Sequence, residues 1–124
     1  MGFHHILLVD DDQDDREIFQ SAVEIVGTIK CSEATSAIEA LEMLRSKKVN
    51  PDVIFLDLNM PLMTGHEFLE RIKSIADLKH IPVIIFSTSG NQQSIYLAKT
   101  LGAFDYITKP YKFDDLVMLL KRVL

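Results

Sequence analysis

The chain has 124 residues, 48% of them hydrophobic, with 13 Lys and Arg against 18 Asp and Glu and a net charge of −5. That length points to one domain burying roughly two-thirds of its unfolded surface, and the apolar content excludes a disordered chain. The acidic balance argues against DNA, RNA or an anionic membrane as partner through the bulk field, and no apolar run approaches the ~20 residues of a membrane span.

The first apolar run, Ile6–Val9, reads as a buried strand and ends in Asp10, Asp11 and Asp12. Those acids also interrupt the only apolar stretch near the start, so no secretory signal is read and a cytoplasmic location is expected. His4 and His5 read as solvated residues before the strand. Ile18, Phe19, Ala22, Val23 and Val26 then form a helical stripe that Gly27 stops. Asp12, Asp14 and Asp15 suit the positive end of that helix better than a metal. Thr28–Ala34 reads as a moderate strand carrying the lone Cys31, a small buried residue that has no disulfide partner in the chain.

Ser36 is a plausible N-cap for a helix carrying Ala37, Ala40, Leu41 and Leu44. Asn50-Pro51 breaks the chain before Val53–Leu56, a second buried strand that ends in Asp57. A Pro-containing loop follows, then a helix with Phe68, Leu69, Ile72 and Ile75. Pro82 precedes the third strong run, Val83–Phe86, after which Thr88 and Ser89 could cap a helix. That helix carries Ile95, Ala98 and Leu101 and ends near Gly102. Asp105–Thr108 is a short strand, and Leu116, Leu119, Leu120 and Val123 stripe a last helix running to Leu124. The pattern is (βα) five times over. Continuous apolar strands imply burial on both faces, hence a parallel sheet covered by helices, a doubly wound α/β sandwich.

In such a sheet the working crevice lies at the carboxyl ends of the strands. Asp10 and Asp11 follow the first strand, Asp57 and Asn59 the third, Ser87 the fourth and Lys109-Pro110 the fifth. Carboxylate and carbonyl oxygens suit a hard cation such as Mg²⁺. A lysine and a hydroxyl suit phosphoryl oxygens, and an aspartate on that rim could take a phosphoryl group as an acyl phosphate.

The stretches Leu7-Leu8-Val9-Asp10-Asp11-Asp12, Leu56-Asp57 through Thr64-Gly65, and Tyr106-Ile107-Thr108-Lys109-Pro110 resemble the receiver domain of two-component response regulators, in order and over essentially the whole chain. The resemblance implies a flavodoxin-like five-stranded sheet in order 2-1-3-4-5 and a single receiver domain over 1–124 with no output domain. It implies that Asp57 accepts a phosphoryl group from a phosphohistidine of a sensor histidine kinase or histidine phosphotransfer protein. Asp11 would ligate Mg²⁺ (or Mn²⁺) directly, Asp57 would help hold it, Asp10 would do so mainly through water, and Asn59 through its backbone carbonyl. Ser87 would bond the phosphoryl group, Lys109 would pair with it, and Tyr106 would be the switch aromatic. The Lys109–Pro110 bond would be cis.

The implied function is a phosphorylation-controlled signalling module acting only on its own phosphorylation and dephosphorylation. Its downstream target would be a protein rather than nucleic acid or membrane, and it would be a monomer or a weak phosphorylation-dependent dimer. An aspartate-nucleophile phosphohydrolase is the enzyme alternative, although Asn59 stands where such enzymes usually carry a second aspartate. A flavodoxin-like FMN carrier fits poorly, because Asp10–Asp15 would repel a phosphate. A degenerate receiver acting by contact alone is at odds with the complete acid, hydroxyl and lysine set.

Overall fold

The computed structural model describes residues 2–124; Met1, the first residue of the expected domain, lies outside them. The order of elements is β1 (His5–Val9), α1 (Gln13–Val26), β2 (Lys30–Ala34), α2 (Ala37–Arg45), β3 (Val53–Leu56), α3 (Gly65–Ser74), β4 (Val83–Ser87), α4 (Gln92–Thr100), β5 (Asp105–Thr108) and α5 (Phe113–Val123). All strand pairings are parallel, in the order β2-β1-β3-β4-β5. No helix among the described residues is long and apolar enough to cross a membrane.

The two-residue period of the strands sorts the core into two layers. Leu7, Val9, Ile54, Leu56, Val83 and Ile85 face α2, α3 and α4. Ile6, Leu8, Val53, Phe55, Ile84 and Phe86 face α1 and α5. The second layer is anchored by three rings, Phe19 of α1 lying 5.1 Å from Phe55 and 5.5 Å from Phe86, in the tilted and edge-on arrangements that aromatic quadrupoles favour. β1, β3 and β4 therefore have apolar residues on both faces.

Local signals fix the helix starts. Asp12, Ser36, Thr64 and Asn91 each accept a hydrogen bond from the backbone N–H three residues on, and Thr64 with Glu67 completes a capping box. Asn91, rather than Thr88 or Ser89, caps α4, because β4 runs on to Ser87 and the chain needs residues 88–90 to turn back.

Several boundaries differ from the sequence reading. β2 begins at Lys30, not Thr28, since its pairing with β1 starts at His5 opposite Lys30. His5 is not a solvated lead-in: it opens β1, and its Nε2 lies 2.9 Å from Oγ of Ser32. Cys31 is only partly buried, because β2 is an edge strand. α3 stops at Ser74, and Ile75 turns extended (φ −99°, ψ 119°). Lys73 holds the connection that follows by donating to the carbonyls of Lys79 and Ile81. α5 ends at Val123.

Candidate functional site

The carboxyl ends of β1, β3 and β4 bring three polar residues to one edge of the sheet. Asp10 follows β1 directly and is 2% exposed; Asp57 follows β3 and is 8% exposed; Ser87 closes β4 and is fully buried. Asp11 is exposed beside them. Carboxylate oxygens of Asp10, Asp11 and Asp57 all lie within 4.8 Å of one another. Three hard anionic donors at that separation fit a hard cation such as Mg²⁺ or Mn²⁺.

Lys109, just beyond β5, sends its ammonium into this cluster. Nζ donates to Asp10 Oδ2 at 2.9 Å and to Asp15 Oδ2 at 3.0 Å, and lies 3.8 Å from Asp57 Oδ2. It also sits 5.7 Å from the centre of the Phe86 ring, a cation–π distance. Burial works against the lysine charge, but the hydrogen bond to Asp10, the charges of Asp57 and Asp10 and the hydrogen bond to Asp15 outweigh it, so Lys109 titrates above its ordinary range. Burial pushes the Asp57 carboxyl up. Lys109 opposes that shift and Asp10 reinforces it, while the N–H groups of Asn59 and Leu58 pull it down.

The loops are held as tightly as the side chains. Asp10 Oδ1 accepts from the N–H of Asp12 at 2.9 Å. Arg16 donates through Nη1 to the Asp10 carbonyl and through Nε to Glu33, which also accepts from Gln20. The β1–α1 loop is thus braced on β2. The N–H of Asn59 reaches Asp57 Oδ1 at 3.4 Å, and Asn59 itself is exposed. Behind Asp57, Gly65 opens α3. A Cβ there would lie 2.5 Å from the Asp57 carbonyl oxygen and 2.7 Å from Cα of Leu58, so only glycine allows this approach.

At the end of β4, Ser87 Oγ accepts from the N–H of Ser89 at 3.3 Å, and the half-buried Tyr106 donates through its hydroxyl to the Ser89 carbonyl at 2.5 Å. Burial raises the Tyr106 phenol above its ordinary range, and the charge of Asp57 adds to this. The Lys109–Pro110 bond is trans, not cis, as is every described peptide bond. Trans is the lower-energy form of an X-Pro bond, and Lys109 meets Asp10 from it.

Asp10, Asp11, Asp57, Ser87 and Lys109 therefore meet at one edge, with Asn59 and Tyr106 beside them. Sequence reasoning read Asp15 as a helix-end charge, gave no role to Arg16 or Glu33, and placed Gly65 in a motif without seeing the close approach it allows. A basic residue placed one turn after an acidic strand end was the available hint for Arg16.

The family model for the response regulator receiver domain matches residues 6–121. A two-component response regulator of Oryza sativa subsp. indica, ORR1, is 36% identical over 127 residues, 97% of this chain and 55% of the relative, so the chain spans about half of that protein. Among solved structures, the phosphorylated cyanobacterial phytochrome response regulator RcpA superposes with a TM-score of 0.89 at 33% identity, over 97% of this chain and 90% of its own. The Mn²⁺-bound form of response regulator Rcp1 does so with 0.83 at 30%, over 97% and 91%.

Proposed function

The chain belongs to the response regulator receiver domain family of two-component signalling systems, and from that premise we propose that Asp57 takes the phosphoryl group of a phosphohistidine. The observation that carries this is the position of Asp57 just past β3, beside the carboxylates of Asp10 and Asp11 and 3.8 Å from the ammonium of Lys109. An Asp57 oxygen forms a bond to phosphorus as the P–N bond of the donor breaks, and the electron pair leaves with the imidazole. Water later attacks phosphorus, releasing phosphate and restoring the carboxylate.

Asp10, Asp11, Asp57 and the backbone carbonyl of Asn59 would hold Mg²⁺ or Mn²⁺, which when bound supplies charge neutralisation for the acids and the phosphoryl oxygens. Lys109 neutralises a further phosphoryl oxygen, and the Ser87 hydroxyl donates to another. Taking up this hydrogen-bonding role, Ser87 shifts the residue 88–91 loop and with it Tyr106. The face of α4, β5 and α5 passes the change to a protein target by shifting a pre-existing equilibrium.

The donor is a sensor histidine kinase or a histidine phosphotransfer protein. It finds an apolar landing beside Lys109, in the cleft of about 340 Å³ lined by Ile18, Phe86, Pro110, Tyr111 and Phe113. Acetyl phosphate with Mg²⁺ should add one phosphoryl group to the wild type and none to Asp57→Asn, read by intact mass. Equal mass gain in both would remove Asp57 as the acceptor. Magnesium alone should raise the melting temperature by mass action.

A further inference from the structure

The third residue of each capped helix normally reaches back to its own N-terminus. Glu67 of α3 does so, accepting from the Thr64 N–H, and Glu39 of α2 accepts from the Thr35 N–H. Asp15 holds the same place in α1 but leaves the cap alone. The N–H of Asp12 is satisfied by Asp10 Oδ1 instead, and the Asp15 carboxylate turns to Lys109 Nζ at 3.0 Å. With Asp10 on a second N–H of the ammonium at 2.9 Å, the lysine lies 0.8 to 0.9 Å nearer to these two acids than to Asp57 at 3.8 Å.

Asp15 differs from the other acids here in where it stands. Its side chain is 42% exposed against 3% for Asp10 and 10% for Asp57, and it does not belong to the trio that can share a cation. It is therefore a rim anion that grips the lysine from outside. An incoming phosphoryl group is a dianion that must compete with this carboxylate for the same N–H donors of Lys109. That competition opposes uptake.

Resting on the phosphoacceptor reading above, we infer that Asp15 is a positioning residue that competes with the phosphoryl group for Lys109 and so sets a brake on phosphorylation of Asp57. With acetyl phosphate as donor, Asp57 forms its bond to phosphorus while the P–O bond to the acetyl group breaks and acetate departs with the electron pair. Lys109 moves from Asp15 toward the transferring group in that step.

The test compares Asp15→Asn with Asp14→Asn, which removes the same charge one residue earlier from an exposed position. In Mg²⁺ and acetyl phosphate, Asp15→Asn should phosphorylate roughly two- to fivefold faster than wild type, the span that a half-exposed ion pair covers, and clearly faster than Asp14→Asn. Equal rates in wild type and Asp15→Asn, or equal gains in both variants, would overturn the inference. A second arm needs no phosphate. Asp15→Asn should lower the melting temperature in the wild-type background and leave it unchanged in Lys109→Met, and a drop of the same size in both backgrounds would overturn the ion pair. The midpoint of Mg²⁺ stabilisation should move less than twofold. If wild type takes up no phosphoryl group while the stability cycle shows coupling, the phosphoacceptor reading fails and the Asp15–Lys109 contact stands.

Discussion

The Tyr106 hydroxyl donates to the main-chain carbonyl of Ser89. The N–H of that same serine donates to Oγ of Ser87, so one peptide segment joins the fourth strand's hydroxyl to the fifth strand's aromatic ring. Tyr106→Phe deletes one end of that link and keeps the ring. The loss should be about 1 kcal/mol of global stability, with amide exchange accelerated most in residues 88–91. Acetyl phosphate uptake should stay near the wild-type rate while affinity for the downstream protein falls. Unchanged exchange in that segment would mean the bond does not hold the loop.

Asp57→Asn should stabilise the protein in metal-free buffer at pH 7. The sign follows from the raised carboxyl: folded Asp57 titrates above its ordinary 3.8 because burial penalises its charge. The folded state thus binds that proton more tightly than the unfolded chain does. The resulting stability is present below 3.8 and lost as pH rises through the folded value. Asparagine carries no such charge, so a rise in melting temperature of roughly 2–5 °C is expected at neutral pH, shrinking as the pH approaches 3.8. A variant less stable than wild type at pH 7 would show that the Lys109 attraction exceeds the burial cost.

Gly65→Ala should cost roughly 2–4 kcal/mol in urea unfolding. Its Cβ would press on backbone atoms of Asp57 and Leu58 rather than on the end of a flexible side chain. The same substitution at Gly27, where a Cβ meets nothing within 4 Å, should be close to neutral. Similar losses at the two sites would show that the close approach is not what selects glycine.

The Cys31 thiol should resist alkylation. Burial, with the charge of Glu33 adding to it, pushes the thiol up to about 12, so at pH 8 almost none is thiolate. Iodoacetamide should react at least about tenfold more slowly with the folded protein than with the protein in 8 M urea. Equal rates would place the sulfur in water.

The sheet was legible because β1, β3 and β4 are continuous apolar runs, and their terminal residues could be assigned to the working edge. Edges and ends were harder. β2 carries a solvated face, so Thr28 and Ile29 looked like strand although β1 offers them no partner. Ile75 matches the helical stripe, but its backbone has already turned while its side chain still packs on the core. Asp15 was read as a helix-end charge because its partner lies 94 positions away. Only the passage of the β5–α5 loop over α1 brings Lys109 within reach.

Lys109 and Asp10 are 99 positions apart in the sequence, and that separation has a consequence for synthesis and folding. The carboxylates of Asp10, Asp11 and Asp57 are complete once β1 and β3 pair, but their lysine arrives only when β5 adds to the free side of β4. Until that last edge strand docks, a nascent or partly folded chain presents three crowded acids with no cation of its own among them. A protein halted there holds its three carboxylates and lacks the lysine charge that sits beside them. The charge balance at this edge is therefore fixed by strand order: it is reached only with β5 in place beside β4.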